Sequence, residues 1–330
     1  MSAETVPVRP TTLRLPSPPM GVLAVAAPAL LALALVLFAP QTLNDGDTYW
    51  HVAAGGWMLD HHRMVRADPF SFTFAGRPWH AHEWLAEVAM ALAYRAAGWA
   101  GVVLLAGAAV AGAVALLARE FNRRLDPLGA TLALALVAGC LAPSLLARPH
   151  LLMLPLLAAW TGALMEARAR DRAPSLAWLA LIVVWANLHA SVILALALIA
   201  PFALEAVLQA GPARRTAAAR AWALFGVGAA VAALVTPFGL DGLLFPLRVS
   251  GMASLDSIVE WRPPDFRQLQ PLEIALLTGL FVMLRGGVRL PAVRLCLVLG
   301  LIHLALGHAR HQVLLAVIGG LIVAEAVRTR

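Results

Sequence analysis

The chain has 330 residues, 61% of them hydrophobic and 13% charged, with a mean hydropathy of +0.80. Soluble domains carry roughly 25% charged residues, so a water-soluble fold is excluded for want of polar surface. The net charge of +7 rests on arginine alone, with no lysine, and these arginines punctuate apolar runs instead of gathering on one soluble face; that excludes a nucleic-acid partner and marks a membrane topology signal.

Residues 1–19, with Arg9 and Arg14, read as a cytoplasmic N-terminal tail. The run Met20–Phe38 is longer than the roughly 7–15 apolar residues of a signal peptide. It approaches the roughly 20 that cross a bilayer, and so predicts a retained first membrane helix. Residues 41–98 form a long first extracytoplasmic loop. Within it Trp50, Ala53, Ala54, Trp57 and Met58 share one face of a helix expected over 48–60, the pattern of a helix lying in the membrane interface. Asp68-Pro69-Phe70-Ser71-Phe72-Thr73-Phe74 alternates, and Gly76-Arg77-Pro78 turns the chain. A second helix is expected from about His82. Glu83, Glu87, Met90 and Tyr94 share one of its faces, and Trp84, Leu85, Val88 and Leu92 share the other, which is expected to pack on the membrane or the bundle.

Further apolar runs lie at about 99–118, 128–146, 150–166, 175–188, 190–209, 219–236, 271–284, 290–306 and 309–327, with a second long extracytoplasmic loop at 237–271. The expected fold is all-α: a single transmembrane helix bundle over 1–330, with about ten crossings and both termini cytoplasmic. The stretch 175–209 holds no charge before Glu205, so its turn at Asn187-Leu188-His189 is inferred from charge. With every run crossing, 16 of the 25 basic residues fall inside and 11 of the 18 acids outside, a strong positive-inside pattern. A single crossing over 175–209 would put Arg214, Arg215 and Arg220 outside. On this map all ten histidines fall in outer loops or outer helix ends. The short inner loops then read as topology signals and the outer face as a site. Cys140 and Cys296 lie inside apolar runs and read as packing residues.

Asp45 and Asp47 are the sharpest candidates. Two carboxylates at i and i+2 beside a membrane helix suit a general base with a metal or substrate anchor; the structural alternative is a capped helix start, with Asp47 as N-cap. His80-Ala81-His82-Glu83 offers ligands for a divalent metal such as Mg or Mn, or simply opens a helix with an acid in its first turn. Arg148 and Arg310, with His150, His308 and His311, suit phosphate, because the guanidinium fork makes paired charge-assisted hydrogen bonds; snorkelling to the headgroups is the alternative. Asn187 and His189 are polar groups deep in an apolar stretch, where they serve either function or an interhelical hydrogen bond. His51 joins the same outer set. Glu260 and Arg262 belong to it too, or pair with each other.

The stretches Asp45-Gly46-Asp47-Thr48-Tyr49-Trp50-His51, Asp68-Pro69-Phe70-Ser71-Phe72-Thr73, Gly76-Arg77-Pro78-Trp79-His80-Ala81-His82-Glu83-Trp84-Leu85, Trp185-Ala186-Asn187-Leu188-His189-Ala190, Thr236-Pro237-Phe238-Gly239-Leu240 and Glu260-Trp261-Arg262-Pro263-Pro264-Asp265-Phe266 together resemble a group of bacterial multi-pass membrane proteins. That group is similar to the GT-C glycosyltransferase superfamily, whose donors are polyprenyl-phosphate sugars. The resemblance implies a catalytic acid in the first extracytoplasmic loop, hence Asp45 or Asp47, and a sugar-lipid partner. It also implies residence in the bacterial plasma membrane. Many members carry a C-terminal extracytoplasmic domain that no stretch here matches. The alternatives are a transporter or lipid-handling protein, or an inactive GT-C-like partner in an envelope complex.

Overall fold

A computed structural model of the chain describes residues 20–252, 255, 257–286 and 288–328. The expected tail at 1–19, Asp256 and Arg330 lie outside the described residues. The helices are α1 (Met20–Phe38), α2 (Gly46–His61), α3 (Trp84–Asn122), α4 (Pro127–Leu141), α5 (Pro149–Ala169), α6 (Leu179–Leu188), α7 (Val192–Gln209), α8 (Pro212–Ala233), α9 (Gly239–Ser250), α10 (Pro271–Gly286), α11 (Ala292–Gly307), α12 (Gln312–Leu314) and α13 (Gly320–Arg328). A π turn, Leu315–Gly319, joins the last two.

Among the described residues seven helical runs are long and apolar enough to cross a membrane. They are those of α1, α3, α4, α5, α7 and α8, and Ala309–Val327. Two shorter apolar runs, Leu176–Leu188 and α11, together with the 16-residue α10, fall where further crossings were expected. The break inferred from charge is present: α6 ends at Leu188 and α7 begins at Val192.

α3 has 39 residues, about 58 Å at 1.5 Å per residue, close to twice the roughly 30 Å hydrocarbon core. It is bent at Ala97 (φ −148°, ψ 24°) and Gly98 (φ 60°, ψ −148°). The Gly98 conformation is one that a Cβ would obstruct. The kink therefore separates an arm over 84–96 from a crossing over 99–122. That crossing runs against α1, where Asn122 Nδ2 donates to the Ala24 carbonyl at 3.3 Å.

The arm packs on α2, and the structure shows which faces of the two helices meet. On α2 the buried residues are Thr48, His51, Val52, Ala54, Gly55 and Met58, while Ala53 is exposed and Trp50 and Trp57 are half-buried. On α3 the buried stripe holds Ala86, Glu87, Met90 and Ala91, and Leu92 is exposed. The acid-bearing face thus turns inward and part of the apolar face turns out. Gly55 makes the close approach possible, since a Cβ there would collide with the Glu87 carbonyl. Gly55→Ala is therefore expected to pry α2 from α3, read as faster hydrogen exchange of α2 amides; unchanged protection would refute the close fit.

The second of the two long loops, 237–271, contains an unexpected helix, α9. It lies over the first loop, with Phe245 stacked on His80 at 5.1 Å and tilted against His82 at 4.7 Å. Arg66 of the first loop donates to the Pro237 carbonyl at 3.1 Å.

Several of the arginines expected on the inner side tie helices together. Arg124 pairs with Glu120 and, at 2.7 Å, with Glu325, tying α3 to α13. Glu205 on α7 lies between Arg168 of α5 at 3.4 Å and Arg294 of α11 at 2.7 Å.

Candidate functional site

The candidate site is a rim built on helix starts, on the side expected to face outward. Asp45, not Asp47, is the N-cap of α2: its Oδ1 accepts from the Asp47 backbone N–H at 2.7 Å. Asp47 therefore sits in the first turn with both carboxylate oxygens free of the cap. Its Oδ1 accepts from Trp50 Nε1 at 3.1 Å and its Oδ2 pairs with Arg148 Nη2 at 2.7 Å.

Arg148 is the N-cap residue of α5. A cation there opposes the helix dipole, and surrounding acids compensate. Besides Asp47, Arg148 Nη1 reaches Asp45 Oδ2 at 3.4 Å and Glu260 Oε2 at 3.2 Å. The other oxygen of Glu260 lies 3.4 Å from Arg310 Nη1. Arg310 in turn lies over the Trp261 ring at 4.4 Å, a cation–π contact. Five residues from four stretches of chain thus form one chain of ion pairs: Asp45, Asp47, Arg148, Glu260 and Arg310.

Next to this rim lies a buried histidine–carboxylate cluster. Glu83, the N-cap residue of α3, faces three imidazoles: His189 Nε2 at 3.3 Å, His82 Nε2 at 3.7 Å and His51 Nε2 at 3.9 Å. His51 Nδ1 lies 3.4 Å from Glu87 Oε1. The His189 tautomer follows from its neighbours. Its Nδ1 accepts from the Ser191 backbone N–H at 3.0 Å, so the proton of the neutral ring is on Nε2, the nitrogen nearer Glu83. Glu87 Oε2 and Thr48 Oγ1 are buried without a hydrogen-bond partner.

Burial drives the titration of this cluster. It lowers His51 to about 3, with Arg148, His82 and His150 acting in the same sense. It holds His189 well below the ordinary imidazole value. Both rings are neutral at neutral pH. Unfolding returns them to about 6.5, so below that value the unfolded chain binds more protons than the folded one. Their contribution to stability is complete above pH 6.5 and fades as pH falls toward 3 for His51. Burial raises Glu83, which acts oppositely, its contribution fading as pH rises through its shifted value. Because the two effects oppose, His51 is read as a difference: between pH 6.5 and 5 the melting temperature of the solubilised wild type is expected to fall relative to that of His51→Gln. An identical slope in the variant would remove His51 from the response.

The remaining candidates divide. His150 lies within electrostatic reach of Arg148, Glu260 and Arg310, and its Nε2 donates to the Ser144 carbonyl at 2.7 Å. Asn187 is an interhelical bridge: it donates to the Val183 and Val235 carbonyls at 2.8 and 2.9 Å and accepts from Trp84 Nε1 at 2.6 Å. His308 and His311 turn Nδ1 onto the carbonyls of Trp261 (2.6 Å) and Leu304 (3.3 Å). Arg262 is exposed and donates to the Ser257 carbonyl at 3.3 Å, while Glu260 turns to Arg148 and Arg310. Among the described residues no group of three or more His, Cys, Asp or Glu side chains has the geometry to hold a metal ion.

Glu87 and Trp261 belong to the site and were not singled out from sequence. The signal for Glu87 was its place four residues after Glu83 on one helical stripe; Trp261 sat between two charged candidates. Compared with known proteins, the chain matches no family model, no curated protein and no solved structure.

Proposed function

We propose that this chain is a GT-C-like glycosyltransferase of the bacterial plasma membrane, transferring a sugar from a polyprenyl-phosphate donor to an acceptor on the extracytoplasmic side. The observation that carries the reading is Arg148, standing between the Asp45/Asp47 pair and the Glu260–Arg310 pair. It sets a candidate base beside two cations suited to a phosphate.

In this scheme Asp47 is the base. Its side chain is 43% exposed, against 16% for Asp45, and Asp45 is engaged in capping α2. Asp47 takes the proton of the acceptor hydroxyl as the acceptor oxygen bonds to the anomeric carbon. The bond from that carbon to the phosphate oxygen breaks, and the phosphate leaves with the electron pair. Arg148 and Arg310 meet the charge that develops there. The crevice beside Arg148, lined by Met90, Val102, Leu105, Ala106, Ala147 and Leu152, is apolar and small, about 10 Å³, room for no more than a water molecule. α6, α10 and α11 complete about ten crossings with both termini cytoplasmic, as the arginine distribution requires.

The test is a deletion strain carrying either the wild-type gene or the Asp45→Asn/Asp47→Asn double variant. The variant is expected to leave a lipid-linked sugar unconsumed and a surface glycan missing. Normal glycans with the variant expressed would sink the mechanism. The buried run Glu87–His51–Glu83–His189 favours a second reading, a proton-linked carrier, because buried acid–histidine chains serve as proton relays in pumps and transporters. Uptake or lipid flipping that survives loss of the acid pair would select it.

A further inference from the structure

We propose that Glu260 is an internal stand-in for the donor phosphate, its carboxylate occupying the Arg148–Arg310 anion site until a single phosphate group displaces it. This rests on the phosphate-donor reading above. The two arginines come from distant parts of the chain, the start of α5 and the turn before α12, and one carboxylate spans them. Glu260 Oε2 faces Arg148 at 3.2 Å and Oε1 faces Arg310 at 3.4 Å. Two oxygens on one small anionic centre, each on its own guanidinium, is also how one phosphate group would bridge the pair.

The clamp is loose for a carboxylate. Charge-assisted N–H···O bonds are typically about 2.7–2.9 Å, and both contacts here are longer. Phosphate is the larger anion, with more oxygens to offer two guanidinium forks. The side chains of Glu260 and Arg310 are each 32% exposed, so the pair is reachable from outside.

Each arginine has a contact besides Glu260. Asp45 and Asp47 hold Arg148, and the Trp261 ring lies against Arg310. The turn bearing Glu260 is fastened separately. The Ala309 N–H donates to the Arg262 carbonyl at 2.9 Å and His308 Nδ1 to the Trp261 carbonyl at 2.6 Å. Rotation of one side chain therefore clears the site while both cations and the backbone stay in place.

The experiment is calorimetric titration of the detergent-solubilised full chain with dodecyl phosphate and, separately, with inorganic phosphate. Wild type, Glu260→Gln, Glu260→Asp and Arg310→Gln are compared after matching melting temperatures. An internal competitor that fills the site nine parts in ten weakens apparent affinity about tenfold, so Glu260→Gln is expected to bind dodecyl phosphate about tenfold more tightly. Glu260→Asp, charged but too short to bridge, is expected to tighten binding by less, and Arg310→Gln to weaken it. If wild type binds through Arg310 but Glu260→Gln binds equally or more weakly, Glu260 is a strut: the stand-in is overturned and the phosphate-donor reading survives. If dodecyl phosphate binding ignores Arg310, the phosphate-donor reading itself fails. Equal tightening for inorganic phosphate upholds the stand-in and removes the lipid as the source of the anion.

Discussion

Asp47→Asn is expected to lower sugar transfer by about 10²–10⁴-fold, the usual contribution of a positioned general base, with little change in melting temperature. The amide keeps an oxygen for Trp50 Nε1, so the local hydrogen bond at 3.1 Å survives. What is lost is the proton acceptor and one of the three carboxylates around Arg148. Asp45→Asn is the informative contrast. Asparagine is as good an N-cap as aspartate, so the cap on α2 persists, and the contact to Arg148 at 3.4 Å is the weaker of the two aspartate pairs. A much smaller loss of rate is therefore expected there. The measurement is the turnover of the two single variants on the same donor and acceptor. If Asp45→Asn proves the more damaging while still folded, the roles are reversed; if Asp47→Asn turns over at the wild-type rate, Asp47 is not the base.

Much of this site was legible before any geometry. Counting arginines put every histidine and most acids on one side. Asp45, Asp47, Arg148, Glu260 and Arg310 then proved to touch one another. The break at Asn187-Leu188-His189 was inferred correctly within a stretch without local turn chemistry, because a continuous crossing would have inverted the later arginines. That argument is global, which is why it works where local propensity is silent.

What periodicity left open was which helix face turns inward. In a soluble protein the polar stripe turns to water and the apolar stripe inward. Beside a bilayer the rule loses its sign, since lipid is as apolar as the core and costly polar groups gather inside the bundle. Glu83 and Glu87 accordingly head the buried stripe of α3, and Leu92 is exposed. The partner of Glu260 was out of reach for a different reason. The adjacent Arg262 was the natural choice by spacing, whereas Arg148 lies 112 residues away, a pairing only the tertiary fold creates. The cap of α2 was misplaced by two residues because Asp45 and Asp47 are equally good caps and only backbone geometry chooses between them.

Glu205→Ala is expected to destabilise the bundle by about 3–5 kcal/mol, the cost of removing one partner from a buried ion pair. Glu205 is 3% exposed and serves two cations. Arg294 contacts it through Nε at 2.7 Å and Nη2 at 3.0 Å, and Arg168 through Nε at 3.4 Å. Arg168, 8% exposed, retains Gln209 at 2.8 Å and Asp171 at 3.4 Å after the change, while Arg294 retains a cation–π contact with Phe202. Most of the cost therefore falls on Arg294, and Glu205→Ala/Arg294→Leu is expected to recover much of it, because a well-packed apolar replacement of an ion pair is often neutral. Glu205 lies 13 positions along α7 from Val192, about 20 Å at 1.5 Å per residue, and hence far from the rim. Turnover per folded molecule should stay near wild type. Thermal melting of the two variants in one detergent decides it: if Glu205→Ala melts with wild type, the clamp across α5, α7 and α11 contributes nothing, and if the double variant is the less stable of the two, the cost is lost packing and not an unpaired charge.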